Sequence, residues 1–207
     1  MPELPEVEAT ATFLREKLLG RRILGVEVAW PRSIALVEAE QLPMLVRGAR
    51  VERVGRRGKF IVIELMNDGQ TSYLFGHMRM SGSFDVLPRG MGADRHDRVI
   101  FDLDDGRQLR FNDPRKFGRV YFTTDPENVV GRLGPEPLEP GFGAERLFAI
   151  LAASRGRLKP VLLDQRRIAG LGNIYVDEAL WRSGIHPLRS ACTVTPGESG
   201  RLLDAIR

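Results

Sequence analysis

An acid-flanked proline stands second in the chain, in the run Met1-Pro2-Glu3-Leu4-Pro5-Glu6-Val7-Glu8. Removal of Met1, which a small following residue favours, makes Pro2 a free secondary amine. An α-amino group titrates near ~8 against ~10.4 for lysine, so at pH 7 far more of it is neutral and nucleophilic. Attack by a proline nitrogen on a sugar C1′ gives a permanently cationic iminium, an electron sink that can expel a base and then drive elimination of phosphate. Glu3, beside that amine, is suited to carry protons to the ring oxygen or the departing base, and Glu6, one turn on, to orient it. The same residues also suit an ordinary helix start, where proline and glutamate are common.

Other candidates are set by type and neighbourhood. Lysine is confined to Lys17, Lys59, Lys116 and Lys159, which shortens the list of amine nucleophiles. Lys59 follows Gly58 and precedes an apolar run, a place that also suits a lysine snorkelling at a strand start. Asn173 follows the turn Gly170-Leu171-Gly172. A helix beginning there is an anion site, because N–H groups and the helix dipole face the ligand, and Asn173 is at the same time expected as its N-cap. Met80 and Phe117 read as core by spacing alone. His96 sits in the turn-rich segment 92–97, His77 and Tyr73 suit strand packing, and Cys192 reads as a small hydrophobe.

Behind these residues the periodicity predicts a helix over 2–19 and strand-like runs over 23–30, 60–66, 71–76, 98–104, 108–111 and 119–122. Asp68-Gly69 and Asp105-Gly106 mark hairpins between them. The breaker-rich segment 134–141 divides the chain into domains over 1–133 and 142–207. Beyond it, helices are expected over 144–154, 158–165 and 173–183, and a last one opens at Thr195-Pro196-Gly197-Glu198 with capping-box spacing. That helix reaches Arg207 with no Gly or Pro terminator, so the sequence is expected to be the leading part of a longer protein.

The 207 residues carry 31 basic and 27 acidic side chains. Up to residue 140 there are 21 of each, and beyond it ten basic against six acidic. The basic residues cluster: Arg47, Arg50, Arg53, Arg56, Arg57 and Lys59 oppose only Glu52; Arg107, Arg110, Arg115, Lys116 and Arg119 oppose only Asp113; and Arg155, Arg157, Lys159, Arg166 and Arg167 oppose only Asp164. Such patches suit a polyanion, or are solvated charge. A hydrophobic share of 43% excludes a disordered tail. No signal peptide or membrane-length apolar run is present, which predicts a cytoplasmic protein. One cysteine and three scattered histidines leave no metal site and no internal disulfide.

The ordered set MPELPEVE, Arg57-Gly58-Lys59-Phe60, His77-Met78-Arg79-Met80-Ser81-Gly82, Asn112-Asp113-Pro114-Arg115-Lys116-Phe117-Gly118 and Asp164-Gln165 through Gly170-Leu171-Gly172-Asn173-Ile174-Tyr175 closely resembles bacterial formamidopyrimidine-DNA glycosylases. The resemblance runs from residue 1 to about 187. It implies an α+β fold: an N-terminal helix and antiparallel β-sandwich, then a helix-two-turn-helix domain, with DNA across the cleft. It implies Pro2 as Schiff-base nucleophile, Glu3 as acid/base, and Lys59 as a lysine that assists β-elimination and touches phosphate. Met80, Arg115 and Phe117 match residues that enter the duplex, since a base attacked at C1′ must leave the stack and something must fill its place. Arg115 would face the orphaned cytosine. Lys116, His96, Arg155, Lys159, Asn173 and Tyr175 complete the implied DNA contacts.

The implied activity is excision of 8-oxoguanine and formamidopyrimidines from double-stranded DNA, followed by β/δ-elimination at the abasic site, by a monomer in the bacterial cytoplasm and nucleoid. Full-length relatives add a lesion-closing loop and a four-cysteine zinc hairpin, neither within these 207 residues, so no cofactor is assigned and the activity and DNA affinity of this stretch alone stay open. Two rivals remain: an endonuclease VIII-like enzyme for oxidised pyrimidines, opposed by Leu4 and the Arg115/Phe117 pair, and a non-catalytic module that binds damaged DNA.

Overall fold

In the computed structural model, which describes residues 2–207, the first helix, α1 (Leu4–Leu18), starts two residues later than the composition suggests. Glu3 is its N-cap in extended backbone, φ −104°, so Pro5 rather than Pro2 occupies the first turn. Pro2 therefore lies outside the helix, and Met1, on whose removal the amine chemistry depends, lies outside the described residues. The helix buries Leu4, Val7, Ala11, Leu14 and Leu18, which recur at three- and four-residue steps. Phe13, expected on that face, is 38% exposed because Ala11 takes the inward position. Gly20, at φ +78°, turns the chain out of the helix.

Nine strands follow: β1 (Ile23–Val28), β2 (Ile34–Ala35), β3 (Arg50–Arg57), β4 (Phe60–Asn67), β5 (Gln70–His77), β6 (Ser83–Pro88), β7 (Asp97–Leu103), β8 (Arg107–Asn112) and β9 (Arg119–Thr123). They form a four-stranded sheet in the order β1-β7-β8-β6 and a five-stranded sheet in the order β2-β9-β5-β4-β3. All pairings are antiparallel except the two-residue contact of β2 with β9. Ile61, Ile63, Leu74, Val120 and Phe122 from one sheet and Phe84, Val99, Phe101, Leu109 and Phe111 from the other share one core, which makes this a β-sandwich. Both Asp-Gly pairs lie in hairpin connections. Asp68 and Gly69 both adopt positive φ, 46° and 78°, the requirement of a type I′ turn. A short helix, α2 (Leu42–Val46), packs on the sandwich, and another, α3 (Glu127–Val130), follows β9.

Three strands go unread in the sequence, the first of them the two-residue β2. β3 carries a register shift between Val51 and Arg53, so its buried Val51 and Val54 are three apart rather than two, and its arginines look like a charge cluster. β6 is short and ends at Pro88.

Contacts separate the chain between Gly131 and Arg132 into two units. The second is helical: α4 (Ala144–Ala152), α5 (Leu158–Leu163), α6 (Asn173–Ser183) and α7 (Pro196–Ile206). Its own core holds Phe142, Leu147, Leu151, Leu158, Leu162, Ile168, Val176, Leu180, Leu202 and Leu203. Within this unit the Gly134 N–H donates to the Gln165 carbonyl at 2.9 Å and the Ala169 N–H to the Pro135 carbonyl at 2.9 Å. At α7 the Thr195–Glu198 capping box forms as the spacing predicts. Cys192, by contrast, is exposed: it sits in a one-turn 3₁₀ segment (Ala191–Thr193) with Sγ 3.3 Å from the Ser190 hydroxyl, so it is not a packing hydrophobe.

Candidate functional site

The N-cap of α1 brings together groups far apart in sequence. The Glu3 side chain is buried, and its backbone N–H donates to the Glu6 carboxylate at 2.9 Å. Glu3 and Glu6 thus form a reciprocal capping box that fixes the peptide directly after Pro2. Lys59 leaves the tight turn between β3 and β4, where Gly58 adopts φ +56°. It is buried too, and burial lowers its pKa while the Glu3 carboxylate pulls the other way; the net position is below that of a free lysine. Arg56 secures that turn: its Nε donates to Glu8 on α1 at 2.9 Å and its guanidinium to the Gly58 carbonyl at 3.1 Å. A buried carboxylate and a desolvated amine stand in one neighbourhood directly after Pro2, groups of the kind that move protons in an amine-catalysed elimination.

At the same end of the five-stranded sheet as the β3–β4 turn, where β5 ends at His77 and β9 begins at Arg119, two loops carry the expected duplex-entering residues. Met80 is 49% and Phe117 51% exposed, so neither is core. They line one surface pocket of about 440 Å³ together with Arg79, Arg119 and Tyr121. Arg115 stacks on Phe117, its Cζ 4.9 Å from the ring centre, and Lys116 places Nζ 3.9 Å from the centre of Trp30. Each loop contains a non-glycine residue in left-handed backbone, Arg79 at φ 54° and Lys116 at φ 60°. His77 supports the first: its Nδ1 accepts the Arg79 N–H at 3.1 Å, and its ring packs edge-on against Phe60 at 4.7 Å. Burial, reinforced by the charges of Arg79 and Lys59, lowers the His77 pKa to about 4, so the ring is neutral at pH 7. Asp113 supports the second loop through backbone N–H groups of Arg115 and Gly118.

His96, in the first unit, is half-buried and paired with Asp94 at 3.3 Å, while its carbonyl accepts the Asp113 N–H. In the helical unit, Gly172 is the N-cap of α6 and Asn173 its first residue. The asparagine expected to cap is displaced one position inward, because extended Gly172 already ends the turn, and its side chain is exposed. The turn is laced by Gln165, whose Nε2 donates to the Leu171 carbonyl at 2.8 Å and whose Oε1 accepts the Gly170 N–H at 2.9 Å. Tyr175 is half-buried in the first turn of α6. Lys159 is ion-paired with Asp177, Nζ to Oδ1 2.7 Å. The Arg155 carbonyl accepts the Ser190 hydroxyl at 3.4 Å.

The basic clusters are less free than local sequence suggests. Arg53 lies 3.8 Å from Glu64 and Arg110 3.3 Å from buried Asp97, acids that local opposition does not count. Arg166 and Arg167 both engage Asp164. Among the described residues, no group of three or more His, Cys, Asp or Glu side chains could hold a metal ion. No helix is long and apolar enough to cross a membrane. Sequence reasoning missed Asp113, Gln165, Arg56 and Trp30. Asp113 and Gln165 stand inside motif blocks, which was the available signal.

Comparison with known proteins bears on this arrangement directly. Residues 1–120 match the family described as formamidopyrimidine-DNA glycosylase N-terminal domain, and residues 133–207 the formamidopyrimidine-DNA glycosylase H2TH domain. The formamidopyrimidine-DNA glycosylase of Pelotomaculum thermopropionicum is 44% identical over 211 residues, covering all of this chain and 75% of that protein. That of Protochlamydia amoebophila is 42% identical over 189 residues, covering 91% of this chain and 67% of its own length. Among solved structures, wild-type Lactococcus lactis Fpg with N7-benzyl-Fapy-dG containing DNA superposes with a TM-score of 0.90 at 34% identity, covering 99% of this chain and 76% of that one. The same organism's Fpg with abasic-site DNA gives 0.90 at 32% identity, with 99% and 75% covered.

Proposed function

The chain belongs to the formamidopyrimidine-DNA glycosylase family, base-excision enzymes for oxidised purines, and from that membership we propose how its own residues divide the work. With Met1 removed, the neutral Pro2 nitrogen attacks C1′ of the damaged nucleoside; the base departs with its bonding electrons and takes up a proton, the attacking amine loses its own, and the sugar ring of the resulting aminal opens as the C1′–O4′ bond breaks and O4′ is protonated, leaving an iminium between Pro2 and C1′. Glu3 moves protons at the sugar ring oxygen or the leaving base. Loss of a C2′ proton then lets electrons flow into the iminium as the 3′ phosphate leaves, and a second elimination releases the 5′ phosphate. Lys59 assists the eliminations and neutralises the nearby phosphate. Hydrolysis of the imine restores the proline.

The observation that supports this reading best is the burial of Glu3 at the N-cap of α1 beside the desolvated amine of Lys59. A carboxylate and an amine kept from water beside the second residue of a chain cost stability, and such groups concentrate at functional sites. Glu6 holds Glu3 in position. Met80 fills the vacated stack, Phe117 wedges the opposite strand and Arg115 faces the orphaned base. Lys116, His96, Arg155, Lys159, Asn173 and Tyr175 contact phosphate, with the α6 N-terminus contributing its dipole. Residues 1–133 are the catalytic part and 142–207 a DNA-binding part, joined through 134–141. The protein acts as a monomer in the bacterial cytoplasm.

Borohydride reduction of the chain on an abasic-site duplex tests the mechanism. A covalent adduct mapped to Pro2, on protein whose intact mass lacks Met1, is expected; an adduct on lysine, or none, overturns it. Paired duplexes holding 8-oxoguanine or thymine glycol test the substrate, with faster incision expected for the purine.

A further inference from the structure

Met80 and Phe117 are 37 positions apart, yet their loops rest on one support. The Asp113 side chain is fully buried. Its Oδ1 accepts the Ser81 hydroxyl at 2.6 Å from the first loop and the Arg115 N–H at 3.1 Å from the second, and its Oδ2 accepts the Gly118 N–H at 2.7 Å. Its own backbone is pinned in turn: its N–H donates to the His96 carbonyl at 3.0 Å, and its carbonyl accepts Nε of buried Arg98 at 2.8 Å.

An apolar support lies beside the polar one. Phe111, at 0% exposure, stacks on Phe84 with ring centres 4.8 Å apart. A β-carbon at Gly82, in the first loop, would come within 3.0 Å of the Phe111 ring and 2.6 Å of the Met78 carbonyl. One at Gly118, in the second, would overlap the same ring. Both loops therefore close onto Phe111 through a glycine, and both close onto Asp113 through hydrogen bonds.

Resting on the functional reading above, we propose that Asp113, with Ser81 as its reach into the Met80 loop, is a positioning residue that joins the two duplex-entering loops into one rigid wedge. The gap filler and the opposite-strand wedge then enter DNA as a unit. Rigid packed elements shift together or not at all, so filling the vacated stack commits the enzyme to reading the opposite base. Burial alone would raise the Asp113 pKa, but the Ser81 hydroxyl and the N–H groups of Gly118, Arg115 and Phe117 outweigh it, so the carboxyl stays ionised and the joint holds across the neutral range.

A double-mutant cycle tests the joint. Asp113→Asn risks the fold, so Ser81→Ala, which removes only the cross-link, is the variant to use. In the parent chain, Met80→Ala and Phe117→Ala combined should slow excision of 8-oxoguanine opposite cytosine little more than the worse single change. In the Ser81→Ala background the two losses should multiply. Ser81→Ala alone should lower kcat for excision by roughly tenfold with little change in KM, leave borohydride trapping on a preformed abasic site within about twofold, and be rescued by Ser81→Thr. Equal multiplication of the Met80 and Phe117 losses in both backgrounds, in a parent chain that still traps abasic DNA, would show independent loops and overturn the proposal alone. A parent chain that neither excises nor traps would overturn the glycosylase reading and this proposal with it.

Discussion

The Glu6 carboxylate accepts the backbone N–H of Glu3 at 2.9 Å, so the peptide that follows Pro2, the proposed nucleophile, is held by a side chain one helical turn away. Glu6→Ala removes that acceptor and half of the capping box. An expected cost of about 1 kcal/mol in stability follows from the lost cap. Borohydride trapping should slow roughly tenfold, equivalent to about 1.4 kcal/mol, because Pro2 and Glu3 lose their fixed relation. Glu6→Gln keeps an acceptor and should recover most of both. Unchanged trapping by Glu6→Ala would remove Glu6 from the mechanism.

Lys59 is the second amine of the site, and burial shifts it toward its neutral form while Glu3 opposes the shift. Lys59→Met should spare the Pro2 adduct while cutting strand incision by about 10²-fold or more, the scale of a lost general acid/base. The product ratio of trapped to incised strand reports this directly. Because the lysine is depressed below its ordinary value, any limb of the elimination rate that needs the neutral amine should rise at a pH lower than a free lysine would set. Lys59→Met should abolish that limb, and a persisting limb would assign it elsewhere.

His77 gives the fold a pH dependence of definite sign. Its folded pKa, about 4, lies below the ordinary 6.5, so the unfolded chain binds the extra proton first. The stability that neutral His77 supplies is complete above about 6.5 and is lost as pH falls from there through 4, on the order of 3 kcal/mol in all. The proton lands on the imidazole whose Nδ1 accepts the Arg79 N–H, so the Met80 loop loosens with it. Urea unfolding at pH 7.5 and 4.5 should show a stability drop larger in the parent than in His77→Gln. Equal drops would place the titration on other groups.

What was legible in the sequence was local. Hydrophobic period, Asp-Gly turns and the Thr195–Glu198 box mark helix, strands and helices in their observed order, because each signal is written within a few residues. Glutamate is an unusual N-cap, so the Glu3–Glu6 box hid behind a proline that appeared to start the helix. The register shift at Val51/Arg53 hid β3 inside a run of arginines. The supports of the candidate site were hidden by distance: Arg56 meets Glu8 across 48 positions, Ser81 meets Asp113 across 32, and Lys159 meets Asp177 across 18. Charge counted along the chain therefore overstated the free cations, since the neutralising acids arrive only with the fold.

The Lys159–Asp177 pair sets a test of the proposed phosphate contact of Lys159. Nζ lies 2.7 Å from Oδ1 and 2.8 Å from Oδ2, in a half-exposed setting where an ion pair contributes well under about 1 kcal/mol to stability. The pair therefore matters less to the fold than to the ammonium, which Asp177 occupies and which must leave the carboxylate, or share it, to reach a phosphate. Asp177→Asn removes the competitor and should tighten binding to abasic-site duplex at low salt. It should also steepen the dependence of log affinity on log salt by up to about 1, one further phosphate neutralised. Lys159→Met should do the reverse, and the double variant should behave like Lys159→Met alone, since without the lysine the aspartate has nothing to withhold. Anisotropy titrations from 50 to 200 mM salt, ranges over which such a slope is readily measured, decide it. If Asp177→Asn tightens binding equally with and without Lys159, the gain is general electrostatics and Lys159 is not a phosphate ligand.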